Sequence, residues 1–250
     1  MGHERITLRM QDGDCPTHVF TPSESLASTG PWPAVIFYMD GLAIRPTLLG
    51  MGQRLADLGY VVLLPDLFYR AGAYAEMDPN VAFASPEGRA ALMPLFASTD
   101  NKRASQDTQS FIDHIDSRSD VRGKAIGVTG YCMGGGMALS VAGTYPDRIA
   151  AAASFHGGRL ATDAETSPHL MAPTIRARVY VAGADNDASY PPEMAEKLEA
   201  AFTAAGVDHR CEIYAGASHG WTMPDFSVFN EAAAERHWTE LAALLKATLG

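Results

Sequence analysis

In the stretch GVTGYCMGGGM, Cys132 follows Gly130 by two residues and precedes Gly134 by two. An apolar run enters the cysteine from one side and small residues lead away on the other. This is the spacing of G-x-S-x-G, a nucleophile elbow, with sulfur in place of the serine oxygen. An elbow is a sharp strand-to-helix turn, so side chains at Gly130 and Gly134 would collide with neighbouring chain. It sets the sulfur at a helix N-terminus, where free N–H groups and partial positive charge suit an anion. The backbone N–H of Met133 would then face the oxygen of a tetrahedral intermediate. The competing reading, a dinucleotide loop, lacks G-x-G-x-x-G and would fall mid-chain.

Such a nucleophile needs an acid and then a histidine later in the chain. His219, in YAGASHGW, follows an expected strand and sits in a small-residue loop, unlike the other seven histidines. Two acids, Asp185 and Asp187, follow the strand in VYVAGADNDASYPPEM. Cys15 and Cys211 lie in ordinary strand contexts and read as buried, inert thiols. The cysteines show neither CxxC nor Cys/His metal spacing, so no disulfide framework and no metal site is expected.

Apolar runs rich in β-branched and aromatic residues precede each of these positions: PAVIFYMDG, GYVVLLPD, KAIGVTGYC, RIAAAASFHGG, ARVYVAGAD and HRCEIYAGASHG. Between them lie helical spacings. Leu48, Met51, Leu55 and Leu58 end at Gly59; Met194, Leu198, Ala201, Phe202 and Ala205 end at Gly206; Trp238, Leu241, Leu245 and Leu249 close the chain. Alternating strands and helices imply a mostly parallel sheet with helices on both faces, in one α/β domain spanning 1–250. The N-terminal RITLRMQDGDCPTHVFTP has hairpin character. Residues 71–100 read as an excursion over the carboxyl edge of the sheet, where such folds bind ligands.

With 47% hydrophobic and 19% charged residues, the 250-residue chain can bury a large core. A formal charge of −10, with no Lys/Arg cluster, argues against nucleic acid as a partner. No apolar run has membrane-spanning length, and the polar start MGHERITLRM lacks a signal-peptide core, so a soluble, cytoplasmic protein is expected. Nothing in the sequence bears on oligomeric state.

The segments FYMDG, GYVVLLPDLFYR, GYCMGGG, AGADND and ASHGW resemble, in order and position, the dienelactone hydrolase family of the α/β-hydrolase fold. That resemblance implies a triad of Cys132, Asp187 and His219, and oxyanion-hole N–H groups from Gly41 and Met133. It favours Asp187 because related hydrolases carry the acid four residues before a proline that opens the next helix, here Pro191. It also implies a carboxylate near the resting thiol, here Asp40, and a substrate-binding arginine, Arg70. Where a second such arginine would stand, this chain has Met223. His156 in FHGGR should lie at a strand's carboxyl end, either near the pocket or as a hydrogen-bonded core histidine.

The implied activity is hydrolysis of small carboxylic esters or lactones through a thioester, with no cofactor. A non-catalytic binding protein on the same fold would be favoured by a missing triad member. A thiol redox sensor would call for a resolving cysteine close to Cys132 in sequence, and none is there.

Overall fold

The computed structural model describes residues 2–23, 29–83 and 85–250. Among these residues, eight strands form one sheet in the order β1-β2-β4-β3-β5-β6-β7-β8. The expected hairpin is β1 (His3–Met10) with β2 (Gly13–Phe20), paired antiparallel from His3↔Phe20 to Met10↔Gly13. β2 also runs antiparallel to β4 (Val61–Pro65). The remaining strands, β3 (Trp32–Tyr38), β5 (Val121–Tyr131), β6 (Ile149–Phe155), β7 (Arg178–Asn186) and β8 (His209–Ser218), pair parallel with their neighbours and with β4. Parallel strands buried on both faces need unbroken apolar sequence. VVLLP in β4 and AVIFY in β3 are fully buried accordingly.

Helix α1 (Pro46–Ala56) buries Leu48, Met51 and Leu55, and the closing helix α7 (Glu231–Leu249) buries Trp238, Leu241, Leu245 and Leu249. Burial of each such side chain stabilises the fold by about 1.5–3 kcal/mol. The two helices meet where the Arg54 guanidinium lies 4.6 Å from the Trp238 ring centre. Helices α4 (Asn101–Ser117) and α5 (Met133–Thr144) pack together. Both α5 and α7 cover β5 and β6, which puts them on opposite faces of the sheet.

α6 (Pro192–Ala205) ends in left-handed Gly206, as its sequence implies. α1 differs: it stops at Ala56, and Leu58 is 45% exposed. Asp57 is fixed instead by the Ser23 backbone N–H, the Ser23 hydroxyl and the Gln53 amide, and the helix ends three residues before Gly59.

Among its described residues, the excursion of residues 71–100 holds the helices α2 (Pro79–Ala82) and α3 (Pro86–Ser98). Ser85 caps α3 by accepting from the Gly88 N–H, and Asp100 caps α4 by accepting from the Arg103 N–H. The segment therefore returns firmly to the sheet edge, carrying Phe96, Thr99 and Asp100 to the wall of a cavity. No helix among the described residues is long and apolar enough to cross a membrane.

Candidate active site

Cys132 leaves β5 with φ 56° and ψ −118°, a left-handed conformation that an ordinary residue adopts only under constraint. Two glycines permit it. A Cβ on Gly130 would lie 1.9 Å from the Gly134 carbonyl oxygen, and one on Gly134 would lie 2.3 Å from that of Tyr38. The first turn of α5 is thus pressed against the end of β3. Met133, the first residue of α5, lines the cavity beside Cys132.

Gly41 stands three residues past the end of β3. It abuts Phe96, whose ring atom would be 2.7 Å from a Cβ placed there. The Asp40 carboxylate accepts the Leu42 N–H at 2.9 Å and so brackets the turn. Among the described residues, no hydrogen-bond acceptor takes the N–H of Gly41 or of Met133.

β7 and β8 deliver the other two side chains. Asp187, one residue past β7, accepts the Nδ1–H of His219, one residue past β8, at 2.6 Å. The carboxylate side chain is 2% exposed and the imidazole 30%. Nδ1 is spent on Asp187, so the Nε2 edge is left for Cys132, whose sulfur acts electrostatically on the ring. Burial pulls the imidazole down, but the bond to Asp187 and the interaction with Cys132 outweigh it and push its pKa up to about 10. Asp187 is correspondingly held below its usual range: burial opposes ionisation, and bonds from His219 and Ser189 overcome it. Asp185 lies apart, exposed, with its carboxylate on the Gly216 N–H at 2.8 Å.

Cys132 and His219 open onto a cavity of about 550 Å³. Its volume suits a small molecule. Neither Asp40 nor Arg70 is among its lining residues. Asp40 is 2% exposed and receives both ends of the Arg45 guanidinium, at 2.8 and 2.9 Å; Arg45 is closed on its other edge by Asp225. The Asp40 carboxylate therefore organises the Gly41 turn and is not available to the thiol. Arg70 grips buried Asp107 through both terminal nitrogens, at 2.9 and 2.7 Å, and Asp12 through Nε at 2.7 Å. With its fork filled, it ties the excursion to α4 and the hairpin turn and does not reach the cavity. No cluster of three His, Cys, Asp or Glu side chains among the described residues could hold a metal ion.

The dienelactone hydrolase family model matches residues 16–249. The chain belongs to this family. It is 25% identical, over 225 residues and 89% of each chain, to a Synechocystis sp. protein whose name, carboxymethylenebutenolidase, is itself provisional. Among solved structures, a Klebsiella pneumoniae protein provisionally named a dienelactone hydrolase superposes with a TM-score of 0.82 at 21% identity, covering 98% of both chains. The dienelactone hydrolase from Anabaena variabilis gives 0.66 at 18% identity, covering 99% of this chain and 98% of its own. The architecture is the α/β-hydrolase fold, and the chain is a dienelactone hydrolase-like hydrolase.

Sequence reasoning passed over Ser189 and Arg159 and left the place of His156 open between pocket and core. Ser189 fixes the acid: its N–H and hydroxyl both donate to Asp187 Oδ1, at 2.8 and 2.6 Å. An Asp with Ser two residues on is a turn signature that was readable in ADNDAS. Arg159 lines the cavity, exposed and with no carboxylate partner among the described residues. Its backbone, at φ 57°, is held by its N–H on the Ser189 carbonyl at 2.7 Å. His156 is fully buried beneath Cys132 and does not line the cavity.

Proposed function

We propose that this hydrolase cleaves small carboxylic esters or lactones through a thioester on Cys132, with His219 moving the proton and Asp187 orienting it. The observation that carries the reading is the chain of contacts from Asp187 through His219 to Cys132, at 2.6 Å for its first link, opening on the cavity.

The thiolate attacks the carbonyl carbon, and the carbonyl π pair moves onto oxygen, which the N–H groups of Met133 and Gly41 receive. As the C–O bond breaks, His219 Nε2 gives its proton to the leaving alkoxide. The now neutral imidazole takes a proton from water, and the hydroxide formed attacks the thioester. Collapse breaks the C–S bond, returning thiolate, imidazolium and a carboxylic acid product. No cofactor enters any step. Thiolate leaves readily, so activated esters and strained lactones are better substrates than amides.

Arg159, not Arg70, is the cation that can select among these substrates, because it is the lysine or arginine that lines the cavity without a carboxylate partner. A substrate carrying a second, anionic group is favoured over its neutral counterpart.

The test is turnover by Cys132→Ala of a p-nitrophenyl ester and of a strained lactone. Loss of both to the uncatalysed rate, with the fold retained by circular dichroism, supports covalent catalysis; turnover within tenfold of the parent protein rules it out.

A further inference from the structure

We propose that His156 is a positioning residue that couples the nucleophile turn to the loop carrying the base. It rests on the thioester reading above, and it concerns a residue that touches neither the cavity nor a substrate.

His156 follows β6 with φ 39°, in the left-handed region, and its own N–H is anchored on the Ala182 carbonyl at 2.8 Å. That backbone turns the ring back under the elbow. Nδ1 accepts the backbone N–H of Cys132 at 3.2 Å, a donor that it shares with the Phe155 carbonyl at 3.1 Å. With Nδ1 an acceptor, Nε2 carries the hydrogen and donates it to the Thr222 hydroxyl oxygen at 2.7 Å. Thr222 is buried and stands three residues past His219. One ring therefore joins the main chain at the nucleophile to the loop that holds the base.

The surroundings keep that ring in one state. It is fully buried, and it meets His219 and Trp221 edge-on, with ring centres 5.2 and 5.0 Å away. Burial, then the charges of His219 and His237, hold it well below the usual histidine range, so it stays neutral beside the imidazolium of His219. A protonated His156 would lose its bond from Cys132 and repel His219. A histidine that only filled space would not need both nitrogens; here each nitrogen serves a different part of the active centre.

Thr222→Val and His156→Asn each cut the link to the base loop. Asparagine tolerates the left-handed backbone and keeps an acceptor oxygen where Nδ1 stands, so the Cys132 N–H stays satisfied. Each variant is expected to lower kcat about three- to tenfold with KM unchanged, and the double variant no further than either single one. Iodoacetamide labelling of Cys132 at neutral pH, read by peptide mass spectrometry, should slow in the same proportion. Kinetics are compared at equal folded fraction, and Thr222→Val leaves the buried ring in place should His156→Asn fold poorly. Parent-like kcat and labelling in either variant, losses that add in the double variant, or an effect confined to KM would overturn the inference. The labelling arm keeps the two proposals separate. If the parent protein labels rapidly but turns over no ester, the thioester reading fails, and the slowing in the variants still decides the role of His156.

Discussion

Two halves of the same sheet edge treat charge in opposite ways. At the carboxyl ends of β3 and β4, Asp40 is closed by Arg45, Arg45 by Asp225, and Arg70 by Asp107 and Asp12. At the ends of β5 to β8, Cys132, His219 and Arg159 each keep a face on the cavity. The acid there, Asp187, spends its capacity on Ser189 and on one edge of an imidazole that also lines the cavity. A charged side chain whose hydrogen-bonding geometry is filled by its own protein gives rigidity and cannot read a substrate. In the proposed mechanism the side-chain chemistry belongs to the half in which one partner of each pair remains incomplete.

The comparison is broken most severely by exchanging the acids. Asp187→Asn should lower kcat roughly 10³–10⁴-fold, since the amide no longer holds His219 in the productive tautomer. Asp185→Asn should change it less than tenfold; the opposite order in steady-state assays would move the triad acid to Asp185. On the closed half, Arg45→Met should act on stability. Removing one partner leaves Asp40 buried and unpaired, at a cost of about 3–5 kcal/mol. For a domain of this size that corresponds to a fall in Tm of roughly 10 °C. An unchanged melt would mean that Asp40 has water or another partner.

Arginine exchange sharpens the contrast between the halves. Arg159→Met should lower kcat/KM for an acid-bearing lactone by about ten- to a hundredfold and leave its neutral methyl ester nearly unaffected. Arg70→Met should lower Tm without altering that ratio. A selectivity change in Arg70→Met and none in Arg159→Met would restore Arg70 to the substrate site. The smallest effect concerns pH. The pKa of His219 rises to about 10 on folding from an unfolded value near 6.5, so its contribution to stability is full below about 6.5 and is lost as pH rises through about 10. The Tm advantage of the parent protein over His219→Gln should therefore shrink between pH 6 and pH 10.5. A constant gap would show that His219 is not held protonated.

The triad candidates were legible because their evidence is local. Gly130, Cys132 and Gly134 define a turn by steric need within five residues, and Asp187 and His219 each follow an apolar strand that ends at the same sheet edge. The parallel sheet and its helices were legible for the same reason, through periodicity. Asp40 and Arg70 were misplaced because an ion pair is chosen in three dimensions. Arg70 meets Asp107 across 37 positions, and Arg45 meets Asp225 across 180. No spacing announces either. Arg159 was invisible for the converse reason: its importance lies in lacking a partner, which only the packed chain reveals. His156 was readable as a strand-end histidine, but not the two bonds that give it a role.

The central claim is that a substrate acyl group passes through Cys132. Rapid acid quenching of the protein with an excess of an activated ester, followed by peptide mass spectrometry, tests it. The expected result is an acyl mass on the Cys132 peptide that appears within the first turnover, disappears as substrate is exhausted and accumulates in His219→Gln. Cys15 and Cys211, whose thiols burial pushes up to about 12, should stay unmodified. Full hydrolytic turnover with no acyl group on Cys132 at any quench time would contradict the account.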